Sequence, residues 1–151
     1  MKQMEVAVGS KSEASARQTP SPCGRATVKR TVLLVDDDDT VLETISPMLA
    51  DAGYDVLSVT KARVGFDEFQ SRSVDLIITD ILMPEMEGIE FILKLRKESP
   101  SVPIIAISGS GRSSKIDYLA MARRLGATGI LEKPFGREEL LSVVAKVRAA
   151  S

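Results

Sequence analysis

A chain of 151 residues with 44% apolar and 27% charged side chains is long enough for one domain with its own hydrophobic core. Its 20 Lys and Arg nearly balance 21 Asp and Glu, but residues 1–30 carry a surplus of basic groups, which leaves an acidic body without the basic face of a nucleic-acid binder. The absence of histidine excludes Ser-His-Asp and Cys-His nucleophiles, the usual zinc sites and a phosphohistidine of the chain's own, and the single Cys23 excludes an internal disulfide.

Residues 1–30 are rich in Ser, Ala, Lys and Thr, place Pro20 close to Pro22, and show neither helical nor strand periodicity. They are expected to form a disordered leader, with a docking or targeting arm as the functional alternative, ahead of one domain at 31–151. No apolar run approaches the ~20 residues that cross a bilayer, so no membrane contact is expected. The leader also lacks the roughly 7–15-residue apolar stretch of a signal peptide, and the expected compartment is the cytoplasm.

From Thr31 the pattern changes. Val32–Val35 is a continuous apolar run ended by acids, and Val41, Leu42, Ile45, Met48 and Leu49 follow at helical spacing, with Gly53 as a stop and Pro47 predicting a kink or a locally broken turn. Val56–Val59 is a second strand, and Val64, Phe66 and Phe69 mark a second helix. Leu76–Thr79 is a third strand ending at Asp80, followed by a helix marked by Ile89, Ile92, Leu93 and Leu95 and closed by Pro100. Ile104–Ile107 is a fourth strand ended by Ser108-Gly109, and Ile116, Leu119, Ala120 and Leu125 mark a helix closed by Gly126. Ile130-Leu131 is a fifth strand ended by Glu132-Lys133-Pro134, and Leu140, Leu141, Val143, Val144 and Val147 mark the last helix. Short continuous apolar runs suit strands buried on both faces. The alternation predicts an α/β fold, a (βα)5 doubly wound parallel sheet whose ligands bind beyond the carboxyl ends of the strands.

The residues after successive strands carry the chemistry. Strand 1 ends in Asp36-Asp37-Asp38-Asp39, strand 3 in Asp80, strand 4 in Ser108 and strand 5 in Lys133, all on one edge of a parallel sheet. Each has a plainer reading alone: helix-start acids, a turn residue, turn chemistry, a solvated surface charge. Their coincidence at four strand ends argues for a site. Clustered carboxylates at an apolar edge repel one another, and a hard dication such as Mg²⁺ relieves this and completes its octahedron with phosphate oxygens. Asp38 and Asp39 read better as helix-start acids, but a cap needs one acid and not four.

The motifs VLLVDDDD (32–39), GYDV (53–56), DLIITDILMPEMEG (75–88), PIIAISG (103–109) and GATGILEKPF (126–135) together resemble the receiver domain of bacterial two-component response regulators, over about Thr31–Ala149. The resemblance implies a flavodoxin-like sheet of strand order 2-1-3-4-5. It implies that Asp80 accepts a phosphoryl group, and that Asp36, Asp37, Asp80 and the backbone carbonyl of Leu82 hold Mg²⁺, with Asp37 favoured over Asp36 as direct ligand. It further implies that Ser108 bonds a phosphoryl oxygen, that Lys133 pairs with the phosphoryl group, and that the Lys133-Pro134 bond is cis. The implied partners are a histidine kinase or histidine phosphotransfer protein and a downstream protein. The latter meets the face made by the fourth helix, fifth strand and fifth helix, with no nucleic acid and a monomer or weak dimer. Only Ser151 follows the fifth helix, so a stand-alone, non-enzyme signalling domain is expected. One residue departs from the family: Ile130 stands where a Tyr or Phe switch is common, so reporting is expected to rest on movement of the Gly109–Ser114 loop.

Two rival readings compete. VLLVDDDDT also resembles the hhhhDxDx[T/V] strand end of haloacid-dehalogenase-type phosphatases, with Asp36, Asp38 and Thr40, although Asp80 then has no role. The other is a receiver that serves as a phosphorylation-independent interaction module.

Overall fold

The computed structural model describes residues 29–81, 83, 88–109 and 118–150, with the backbone alone at 118, 119 and 150. Five strands and five helices alternate: β1 (Thr31–Val35), α1 (Asp39–Asp51), β2 (Asp55–Val59), α2 (Ala62–Ser71), β3 (Leu76–Asp80), α3 (Gly88–Glu98), β4 (Ile104–Gly109), α4 (Tyr118–Leu125), β5 (Gly129–Lys133) and α5 (Arg137–Ala150). The strands form one parallel sheet in the order β2-β1-β3-β4-β5, the order 2-1-3-4-5 expected from the motifs. Residues 1–28 of the leader, Leu82, Ile116 and the loop from Ser110 onward lie outside the described residues.

The continuous apolar runs are explained by cover on both faces of the sheet. Leu33, Val35, Ile77, Ile104 and Ala106 pack toward Phe91, Ile92 and Leu95 of α3 and Ala122 of α4. The alternate residues Val32, Leu34, Ile78, Ile105, Ile107 and Leu131 pack toward Leu42, Ile45 and Leu49 of α1 and Leu140, Val144 and Val147 of α5. Ile130 belongs to the first layer, part-buried beside its register partner Ala106.

The structure corrects one local expectation. Helix α1 runs unbroken through Pro47, because Pro47 and Glu43, whose carbonyl loses its partner, are both exposed and water can replace the missing bond. Val64 and Leu93, whose apolar side chains help mark α2 and α3, are exposed. The inner face of α2 is instead Ala62 and Gly65, with Phe66 and Phe69 part-buried at its margin. A Cβ at Gly65 would stand 3.0 Å from Val35 Cγ2 and 3.4 Å from Phe91 Cζ, so this helix lies close to the sheet at its glycine.

Candidate functional site

The strand periodicity that builds the two core layers also places the polar residues. Asp36 lies two residues beyond Leu34, Asp80 two beyond Ile78 and Lys133 two beyond Leu131, so all three continue the rows of the α1/α5 layer at the carboxyl edge. β1 and β3 are hydrogen-bonded neighbours at the point where the strand order reverses, which is where open α/β sheets bind ligands.

The carboxylates of Asp36, Asp37 and Asp80 each offer an oxygen within 4.8 Å of the others. Asp36 and Asp80 are 1% and 6% exposed, whereas Asp37 faces solvent. Lys133 closes the group, with Nζ 3.2 Å from Asp36 Oδ2 and 3.9 Å from Asp80 Oδ2. The Lys133-Pro134 peptide is cis.

Asp36 is held at three points. Its N–H donates to Val59 O at 3.2 Å, its Oδ1 accepts from the Asp38 amide at 2.9 Å, and its Oδ2 accepts from Lys133 Nζ. Burial pushes its pKa above the ordinary carboxylate value, and nearby Asp37 adds to that; the Asp38 amide and Lys133 oppose the rise without cancelling it. The described contacts bring three carboxylates to one ammonium. Three convergent carboxylates, two of them buried, form a hard oxygen donor set that suits Mg²⁺.

The other two acids of the run point elsewhere. Asp38 is the N-cap of α1, its Oδ1 accepting from Thr40 N at 2.9 Å, and Asp39 lies in the first turn. Ser108 is buried, on the row of the opposite layer, and its hydroxyl lies 3.4 Å from Gly109 O, apart from the acidic cluster in its described contacts. Leu82 lies outside the described residues.

Two residues at the site carried no role in the sequence reading. Gly88, the first residue of α3, packs on the Asp80-Ile81 peptide: a Cβ there would stand 2.1 Å from Asp80 O and 2.3 Å from Ile81 Cα. Thr79, wholly buried, donates through Oγ1 to Asp80 O at 2.9 Å. A glycine eight residues after Asp80 at a helix start was a legible signal for the first; Thr79 reads as an ordinary strand residue.

Comparison with known proteins agrees with this geometry. The response regulator receiver domain family model matches residues 32–145. The response regulator protein TodT of Pseudomonas putida is 33% identical over 113 residues, covering 75% of this chain and 48% of its own. The cell cycle transcriptional regulator CtrA of Caulobacter vibrioides is 33% identical over 116 residues, covering 77% and 49%. The chain thus spans about half the length of the curated relatives it matches. Among solved structures, chemotaxis protein CheY4 of Vibrio cholerae superposes with a TM-score of 0.73 at 33% identity, over 80% of this chain and 99% of that one. Aspartyl phosphorylation and Mg²⁺ binding at an acidic pocket are general to such domains, and response regulators are phosphorylated by histidine kinases. The chain belongs to the response regulator receiver domain family of two-component systems.

Proposed function

We propose that this domain accepts a phosphoryl group onto Asp80 from the phosphohistidine of a histidine kinase or histidine phosphotransfer protein, and signals by a changed binding surface or by passing the group onward. The observation that carries the reading is the buried Asp80 carboxylate, grouped with those of Asp36 and Asp37 and 3.9 Å from Lys133 Nζ. Asp36, Asp37 and Asp80, with the Leu82 carbonyl, are the proposed Mg²⁺ ligands. Bound there, Mg²⁺ supplies the positive charge that phosphoryl oxygens need as negative charge builds on them.

An Asp80 oxygen attacks phosphorus in line; its new P–O bond forms as the donor P–N bond breaks, and the electron pair leaves with the imidazole nitrogen. Lys133, held by Asp36, is near enough to pair with the arriving phosphoryl oxygens. Ser108 donates its hydroxyl to one of them, which draws β4 and the following loop toward the site. Ile130 is an aliphatic member of the core layer with no hydroxyl to follow Ser108, so the loop and α4 carry the change to a downstream protein at the α4-β5-α5 face. The reading holds for a receiver acting alone, in the cytoplasm, and for one joined to an output domain. Among the described residues no helix is long and apolar enough to cross a membrane.

The dehalogenase-type reading is disfavoured by Asp38, which caps α1 instead of joining Asp36, and by the family match. Incubation with a small acyl phosphate donor tests the choice. Mg²⁺-dependent label lost in Asp80→Asn supports Asp80; label kept in Asp80→Asn and lost in Asp36→Asn overturns it.

A further inference from the structure

Thr79 is a polar side chain, wholly buried, in a strand otherwise apolar up to Asp80. A buried hydroxyl is costly unless it is hydrogen-bonded, and valine would fill the same volume without that demand. The strand alternation turns Thr79 toward the α3 side of the sheet, away from the Asp80 carboxylate. Its hydroxyl nevertheless serves Asp80, donating to the backbone carbonyl of that residue at 2.9 Å.

The same carbonyl meets a second restraint. Gly88 brings the backbone of α3 against Asp80 O, closer than any residue with a Cβ could come. The Gly88 amide then donates to Ile81 O at 3.1 Å, and the Ile81 amide donates to Ile107 O at 3.0 Å. The Asp80-Ile81 peptide is therefore held by Thr79, by β4 and by the start of α3. Ile81 and Gly88 thus meet at one junction.

We propose that Thr79 is a positioning residue for Asp80: its hydroxyl fixes the Asp80-Ile81 peptide, and with it the aim of the Asp80 carboxylate. The proposal rests on Asp80 as the phosphoacceptor. In-line attack is sensitive to small misplacements of the nucleophile, so freeing this peptide lowers the rate without touching any group that meets phosphate.

The test compares Thr79→Val, which keeps the shape and removes the hydroxyl, with Thr79→Ser, which keeps the hydroxyl and removes a methyl. At saturating Mg²⁺, labelling by a small acyl phosphate is expected to slow about tenfold in Thr79→Val and to stay within about twofold of wild type in Thr79→Ser. Without Mg²⁺ or donor, amide hydrogen exchange at Ile81 and Gly88 is expected to accelerate in Thr79→Val more than in Thr79→Ser. A merely structural role predicts that loss of the core methyl costs at least as much as loss of the hydroxyl. Equal rates in Thr79→Val and wild type, or equal losses in both variants, would overturn the proposal. If Thr79→Val does not fold, Thr79→Ser against Thr79→Ala carries the comparison, and equal labelling of those two overturns it. A wild type that takes no label refutes the reading of Asp80 itself; a labelled wild type with an equally labelled Thr79→Val refutes only the role of Thr79.

Discussion

The ammonium of Lys133 lies closer to Asp36 than to Asp80, at 3.2 Å against 3.9 Å, so the cation is held chiefly by an acid other than the one proposed to react. Lys133→Met would leave Asp36 buried with only the Asp38 amide to offset its charge. The expected cost without metal is about 1–2 kcal/mol, below that of a fully buried pair because Lys133 is partly exposed. Mg²⁺ should restore stability more in Lys133→Met than in wild type, since a bound dication answers the same carboxylates. Thermal melts of both proteins with and without Mg²⁺ check this, and equal Mg²⁺ shifts would contradict it.

The raised pKa of Asp36 fixes the sign of a pH effect. The folded state holds this proton more tightly than the unfolded state, so at pH below the ordinary carboxylate value Asp36 costs nothing. As pH rises from that value through the raised one, the unfolded chain ionises first and stability falls; the penalty is complete once the pH exceeds the raised value. Asp36→Asn, which keeps an acceptor for the Asp38 amide, should therefore be the more stable protein at pH 7 without metal. A gain of ~1 kcal/mol would appear as roughly 4 °C in Tm. The gain should shrink as the pH is lowered toward 3, and Mg²⁺ should stabilise wild type more than Asp36→Asn. Melting curves across pH, with and without Mg²⁺, measure both effects.

Gly88→Ala places a methyl group into the Asp80-Ile81 backbone. The obstacle is main chain, so side-chain rotation gives no relief and α3 must shift away from β3. A loss of about 2–4 kcal/mol is expected, together with slower labelling of whatever fraction remains folded. Urea unfolding gives the first number and a phosphorylation time course the second; a variant as stable and as reactive as wild type would refute the close approach.

Arg96 joins two segments at the opposite edge of the sheet. Its guanidinium donates to Gly126 O at 2.8 and 3.1 Å and to Ser99 O at 3.0 Å, tying the end of α3 to the end of α4. Gly126, at φ +124°, leaves room for it, since a Cβ there would stand 2.8 Å from Arg96 Nε. Arg96→Met should cost about 2 kcal/mol, as charge-assisted hydrogen bonds to part-buried carbonyls are lost. Faster amide exchange at Ala127 and Thr128, at the α4–β5 junction, is the local readout.

Several features were legible in the sequence for reasons that the structure makes plain. Apolar runs of strand length predict buried strands because helices cover both faces, and helix capping could be reasoned from the acid run: Asp38 caps α1. The strand order came through the motif resemblance, since alternation alone leaves it open. Helical spacing locates α2 and α3 but not the exposure of Val64 and Leu93, because spacing cannot show that Gly65 lies close to the sheet. Pro47 does not break α1, since the cost of proline depends on whether the orphaned carbonyl reaches water. Gly88 and Thr79 act on a backbone carbonyl, a contact that leaves little trace in residue pattern.

The most direct test of the central claim is peptide mass spectrometry after incubation with a small acyl phosphate and Mg²⁺, with reduction of the acyl phosphate to mark its position. The account predicts one marked residue, Asp80, with the mark lost when Mg²⁺ is chelated and when Asp80 is replaced by Ala. A mark on Asp36 or Asp38, or one that persists in Asp80→Ala, would contradict it.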